Sequence, residues 1–199
     1  MPGERSTMAK SLRVTLMHYR LRSLYDLGAY LSGTCLSLIC AMITAQILGR
    51  IIDKFMIWVG GDRIGLAIPG LAEISGFLLV GATFLGLAYT FVNGGHIRVT
   101  LLIGHLPARV RAFVELWCLS IALFLSLYLA WYVIWLVADS IAFNETSYGL
   151  LSIPLWIPQS IMLLGILLFC LALLEAWVAT LVTALTRPSS FQVDDATNE

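Results

Sequence analysis

The residues of this chain that could do chemistry are few, and most stand at the edges of long apolar runs. His96 and Arg98 sit in a polar knot, Gly94-Gly95-His96-Ile97-Arg98-Val99, and the remaining histidines are His18 and His105. Histidines facing each other across helices would ligate haem. A histidine beside a serine would make a nucleophile. Neither arrangement is available, because all three histidines fall at or outside the ends of the runs. Ser37, Ser120 and Ser126, in mid-run, have none to partner them. A proton or ion relay would need charge near a membrane midplane, at a cost of about 2.5–3.5 kcal/mol per charge. Glu73, Glu115, Asp139 and Glu175 instead lie toward the ends of the runs. Cys35, Cys40, Cys118 and Cys170 fall inside the runs without paired spacing and read as small buried residues, neither a disulfide framework nor a metal site. No catalytic, cofactor-binding or metal-ligating set is legible, so the chain reads as a non-enzyme without cofactors.

The runs themselves dominate the sequence. Its hydrophobic share is 59%, above the roughly 45–50% of soluble domains. Four stretches are long enough to span a hydrocarbon core of about 30 Å: about 27–48, 74–92, 116–138 and 153–185. Unpaired backbone groups are costly in lipid, so these must be helices. The fold class is an all-α integral membrane protein of four transmembrane helices with short amphipathic interfacial helices. Basic residues divide unevenly between its two sides. Nine lie before the first span, between the second and third, or after the fourth, against three in the first loop and none in the third. That bias places both termini in the cytoplasm. The first apolar run starts too late and is too long for a cleavable signal peptide.

Around the spans, residues 1–23 form a basic N-terminus that is either an interfacial helix or a mobile tail. Ile51, Ile52, Phe55, Met56 and Trp58 predict a second surface helix in loop one, ended by Gly60-Gly61. Residues 98–110 predict a short interfacial helix or turn, with Pro107 in the first turn of the next helix. Tyr148 and Trp156 mark the outer interface in loop three, and 186–199 read as a disordered cytoplasmic tail.

Two stripes of small residues recur at four-residue spacing: Gly33, Ser37, Ala41 and Ala45 within span one, and Ala82, Gly86 and Thr90 within span two. Small faces let helix backbones approach closely where lipid supplies no hydrophobic drive. They pack either within this chain's own bundle or against a partner. Gln46 and Arg50 share the outer end of span one, where they anchor the interface or bond across to Glu73. Arg98 either snorkels to headgroups or pairs with an acidic group such as Glu115.

In order along the chain, these elements resemble the small membrane subunit of TRAP transporters, the DctQ-like family. The resemblance rests on Gln46…Arg50 closing span one, Glu73 opening span two, His96-Ile97-Arg98-Val99 after it, and Ile153-Pro154-Leu155-Trp156-Ile157-Pro158 before span four. It departs at Gln46, Ile51 and Thr100, where the family commonly has Asn, an aromatic and an acidic residue. Gln46, Arg50, Glu73, His96, Arg98 and Trp156 are the candidate structural or subunit-interface residues. The resemblance implies a bacterial inner-membrane scaffold beside a large, DctM-like membrane subunit. That subunit imports an organic acid, driven by sodium and delivered by a periplasmic binding protein. Lipids surround the assembly, and nucleic acid has no part in it. The competing readings are an autonomous homo-oligomeric carrier or channel using Glu73, and an assembly or sensor protein.

Overall fold

The computed structural model describes residues 21–60, 62, 65, 69–94 and 108–186. Four helices result: α1 Arg22–Trp58, α2 Leu71–Gly94, α3 Ala108–Ala142 and α4 Trp156–Thr186. Each is long and apolar enough to cross a membrane. No strand forms among the described residues; one isolated bridge joins Thr146 to Pro154. The N-terminal segment through residue 20, the 95–107 junction with His96, Arg98 and Pro107, and the tail from 187 lie outside the described residues.

Loop one departs from expectation. Ile51–Trp58 is no separate surface helix but the continuation of α1, which runs unbroken for 37 residues. The physical reason is the lack of a breaker: no Pro or Gly stands between Gly49 and Gly60, and one glycine inside a helix costs only about 1 kcal/mol. The helix stops where Gly60 takes a left-handed φ of +85°, a conformation glycine adopts without steric cost. At 1.5 Å per residue α1 is about 55 Å long, well beyond the hydrocarbon thickness of about 30 Å. The helix is thus longer than that layer is thick, and Phe55 and Trp58 in its last turns are exposed.

The helices pack in the lateral order α1, α2, α4, α3, and α1 meets α4 over only a small region. The two central helices make the closest approaches. A Cβ on Gly165 of α4 would stand 2.5 Å from the backbone carbonyl of Phe84 on α2, and one on Gly28 of α1 would stand 2.7 Å from Leu85 O. Glycine at these positions lets backbone meet backbone, the contact that association in lipid relies on. Around Gly165 a core of Ala130, Val133, Ile166 and Cys170 closes the α3–α4 side, with Phe84 against it. A second core of Tyr25, Ala88 and Ala172 joins α1, α2 and α4.

The covered face of α1 follows a spacing the sequence did not advertise. Tyr25, Gly28, Ser32, Cys35, Ile39, Met42, Gln46 and Gly49 are buried or half-buried, alternating steps of three and four. An average of 3.5 residues keeps one seam turned toward a neighbouring helix. Within that seam the Ser32 hydroxyl donates to Ala82 O at 2.6 Å, and Gly86 lies against the same side chain. A strict four-residue step instead turns about 40° further round the helix each time. Gly33, Ser37, Ala41 and Ala45 are accordingly exposed, and nothing lies within 4 Å of a Cβ at Gly33. The stripe on α1 is not the internal seam. On α2, Ala82 is buried and Gly86 half-buried against α1, whereas Thr90 is exposed and donates to its own helix at Gly86 O, 2.9 Å.

Candidate functional site

Three features could serve a partner: an ordered corner where α3 ends and α2 and α4 begin, the uncovered face of α1, and the aromatic face of α3.

The corner begins where α3 stops. Glu145 N–H donates to Ser140 O at 3.0 Å and Asn144 N–H to Ile141 O at 3.4 Å, while Asn144 takes φ +49°. This is the bonding pattern of a Schellman cap with asparagine in the left-handed position. The fully buried Ser140 hydroxyl donates to Glu145 Oε2 at 2.8 Å. Beyond the cap the chain pairs with itself, Leu155 N–H to Glu145 O at 3.0 Å and Ser147 N–H to Ile153 O at 2.9 Å. Loop three is thus a short hairpin with Tyr148 fully exposed and Leu150 largely so at its tip.

Glu73 holds this hairpin from below. It stands in the first turn of α2, where the helix dipole favours a carboxylate. Its Oε2 accepts the Leu151 N–H at 3.3 Å. Gly149 lies so close that any Cβ there would collide with the carboxylate, and the Leu151 side chain packs over Gly70, itself at φ +68°. Glu73 Oε1 is buried without a hydrogen-bond partner, as is Oε1 of Gln46 in the α1 seam. The bond formed by Glu73 therefore runs to the backbone of loop three. Arg50 is exposed on α1. Trp156 is exposed at the first position of α4, and its carbonyl accepts the Ser160 hydroxyl at 2.6 Å.

At the opposite end the sequence reading missed Tyr25. Its ring is 1% exposed, and its hydroxyl donates to Glu175 Oε2 at 3.0 Å, tying α1 to α4. Phenol and carboxylate are 150 residues apart, so no local pattern announces the pair. The mid-span serines donate within their own helices: Ser37 to Gly33 O at 2.9 Å, Ser120 to Leu116 O at 2.8 Å, Ser126 to Ala122 O at 2.8 Å. Ser120 also accepts the Trp177 indole N–H at 2.9 Å, linking α3 to α4. All four cysteines are free, but only Cys170 is buried; Cys35 is half-buried, and Cys40 and Cys118 are exposed on helix faces that no other helix of the chain covers.

The uncovered faces differ in chemistry. On α3, Trp117, Phe124, Tyr128, Trp131 and Trp135 are exposed. Tyr128 and Tyr132 bond at 3.3 Å, and Trp131 meets Trp135 edge-on at 6.2 Å between ring centres. On α1 the exposed stripe Gly33, Ser37, Ala41 and Ala45 is small, flanked on the same helix by exposed Leu36, Leu38, Ile43 and Ile47. Bulky aliphatic and aromatic side chains suit lipid tails, whereas small faces suit another helix.

Four spanning helices with their polar anchors at the two ends define a multi-pass membrane protein. The family model described as "Tripartite ATP-independent periplasmic transporters, DctQ component" matches residues 39–183, and the chain belongs to that family. It is a family of transporter components rather than of enzymes, and the chain is accordingly a TRAP transporter small subunit. Comparison with curated proteins and with solved structures gave no match.

Proposed function

We propose that this chain is the scaffold subunit of a sodium-driven organic-acid importer in the bacterial inner membrane, with both termini cytoplasmic. In this reading α1 packs against the large membrane subunit, α3 faces lipid, and the outer corner meets a periplasmic binding protein. The observation that carries it is the exposed small-residue stripe of α1 in a chain of the DctQ family: Gly33 has open space where its own neighbours do not reach. The charge bias between loops supports the orientation. The place of Glu73, bound to loop three at the outer end of α2, favours this reading over a self-contained carrier, which needs its coupling charge deeper. Gln46, Arg50 and Trp156 then sit where an interface near the outer surface would use them, and His96 and Arg98 at the inner junction.

The test is a mild-detergent pull-down of the tagged chain from native membranes, followed by mass spectrometry. A large polytopic membrane protein in equal amount supports the proposal; the chain alone, or only copies of itself, overturns it. The double variant Gly33→Leu/Ala41→Leu sharpens the assignment. Neither side chain enters the internal seam, so the isolated chain should unfold as the wild type does. Overpacking a helix–helix contact costs about 1–3 kcal/mol, and recovery of the large subunit should therefore fall about tenfold. Full recovery would move the contact to another face.

A further inference from the structure

We propose that Glu73 is a latch for loop three: its carboxylate holds the 147–153 tip in one conformation, so that Tyr148 and Leu150 are presented outward. That such presentation serves a soluble partner rests on the docking role proposed above; the latch itself does not.

Three contacts converge on the tip from α2 and the turn before it. Glu73 Oε2 accepts the Leu151 N–H, the Leu151 side chain seats on Gly70, and Gly149 passes so close that an added Cβ would strike the carboxylate. The hairpin's own ladder stops at the Ser147–Ile153 rung. Within the tip itself only local bonds form, Gly149 N–H to Ser147 Oγ at 3.4 Å and Ile153 N–H to Leu151 O at 2.8 Å, and fixing each backbone residue costs conformational entropy. Glu73 sits at this gap. As a positioning residue it is mounted in the first turn of α2, where the helix dipole favours the charge.

Glu73 Oε1 is buried without a hydrogen-bond partner, so the bond this carboxylate makes is the one through Oε2 to the tip.

The experiment is amide hydrogen exchange on the full chain in nanodiscs, read over 147–153 and over α2 and α4. Glu73→Ala should speed exchange in the tip by at least about tenfold, leaving the helices protected. Glu73→Gln keeps an acceptor oxygen and should restore most of the protection. Gly149→Ala forces the carboxylate aside and should loosen the tip like Glu73→Ala. Combining the two should be no worse than either alone, because they break the same contact. An unchanged tip in Glu73→Ala overturns the latch. So does a Gln variant as loose as Ala, or a rise spread over α2 and α4, which would make Glu73 a general folding residue. Tyr148→Ala is then tested for capture of the binding protein identified by the pull-down. Wild-type capture that survives both Tyr148→Ala and Glu73→Ala overturns the presentation role. A protected tip with no wild-type capture overturns the docking reading and leaves the latch standing.

Discussion

Gly165→Ala is expected to destabilise the chain by about 2 kcal/mol, near the middle of the range for overpacking a tight site. The added methyl would stand 2.5 Å from the carbonyl carbon and oxygen of Phe84. What it meets is helix backbone, which cannot rotate away as a side-chain tip does. To restore ordinary contact, α2 and α4 must separate by close to an ångström, and that loosens the packing of Phe84 against the core of Ala130, Val133, Ile166 and Cys170. Opposing this, alanine is the better helix former by up to about 1 kcal/mol. The collision wins because the displacement is shared by every contact along two central helices. Gly33→Ala is the control: the same propensity gain applies in open space, so it should be neutral or slightly stabilising. Thermal or denaturant unfolding of the purified chain in one detergent compares them directly. Equal stability for the two variants would show that α2 and α4 do not approach as described.

Tyr25→Ala should cost about 3 kcal/mol, the low end for truncating a buried aromatic. The low end applies because lipid is as apolar as the core, leaving lost packing rather than transfer from water as the main term. Tyr25 fills the junction of α1, α2 and α4 among Ala88, Ala172 and Leu168. The small size of those alanines leaves nothing able to collapse into the gap. Tyr25→Phe keeps the ring and removes the hydroxyl that donates to Glu175, for about 1 kcal/mol on the membrane scale of hydrogen bonds. Unfolding measurements on both variants separate ring from hydroxyl. If Phe costs as much as Ala, the bond to Glu175 rather than the packing joins α1 to α4. If neither matters, α1 is held by its Gly28 seam alone.

Each of these sites shows a different limit of reading from sequence. The four helices were legible because hydropathy and length decide spanning segments when backbone groups have no water to bond. The end of α1 was not, because amphipathic spacing at Ile51, Phe55 and Trp58 is the same whether a helix lies on a surface or continues from a span. Gly28 and Gly165 escaped notice because they belong to no four-residue stripe. Glu73 stood out in the sequence as an acidic residue opening a span. Its bond to Leu151, 78 residues away, depends on where loop three comes to rest.

The sequence by itself determined the membrane class, the number of spans, the placement of charge at their ends and the resemblance to the DctQ family. The first three follow from local composition, since the bilayer acts on each segment separately, whereas the resemblance rests on the order of motifs along the chain. Only the tertiary structure decided which face of α1 is covered, that α4 lies between α2 and α3, and what Glu73 and Tyr25 bind. Lipid gives no hydrophobic reason to prefer one helix face over another, so the choice falls to backbone approach and a few long-range hydrogen bonds. Those exist only once all four helices are in place.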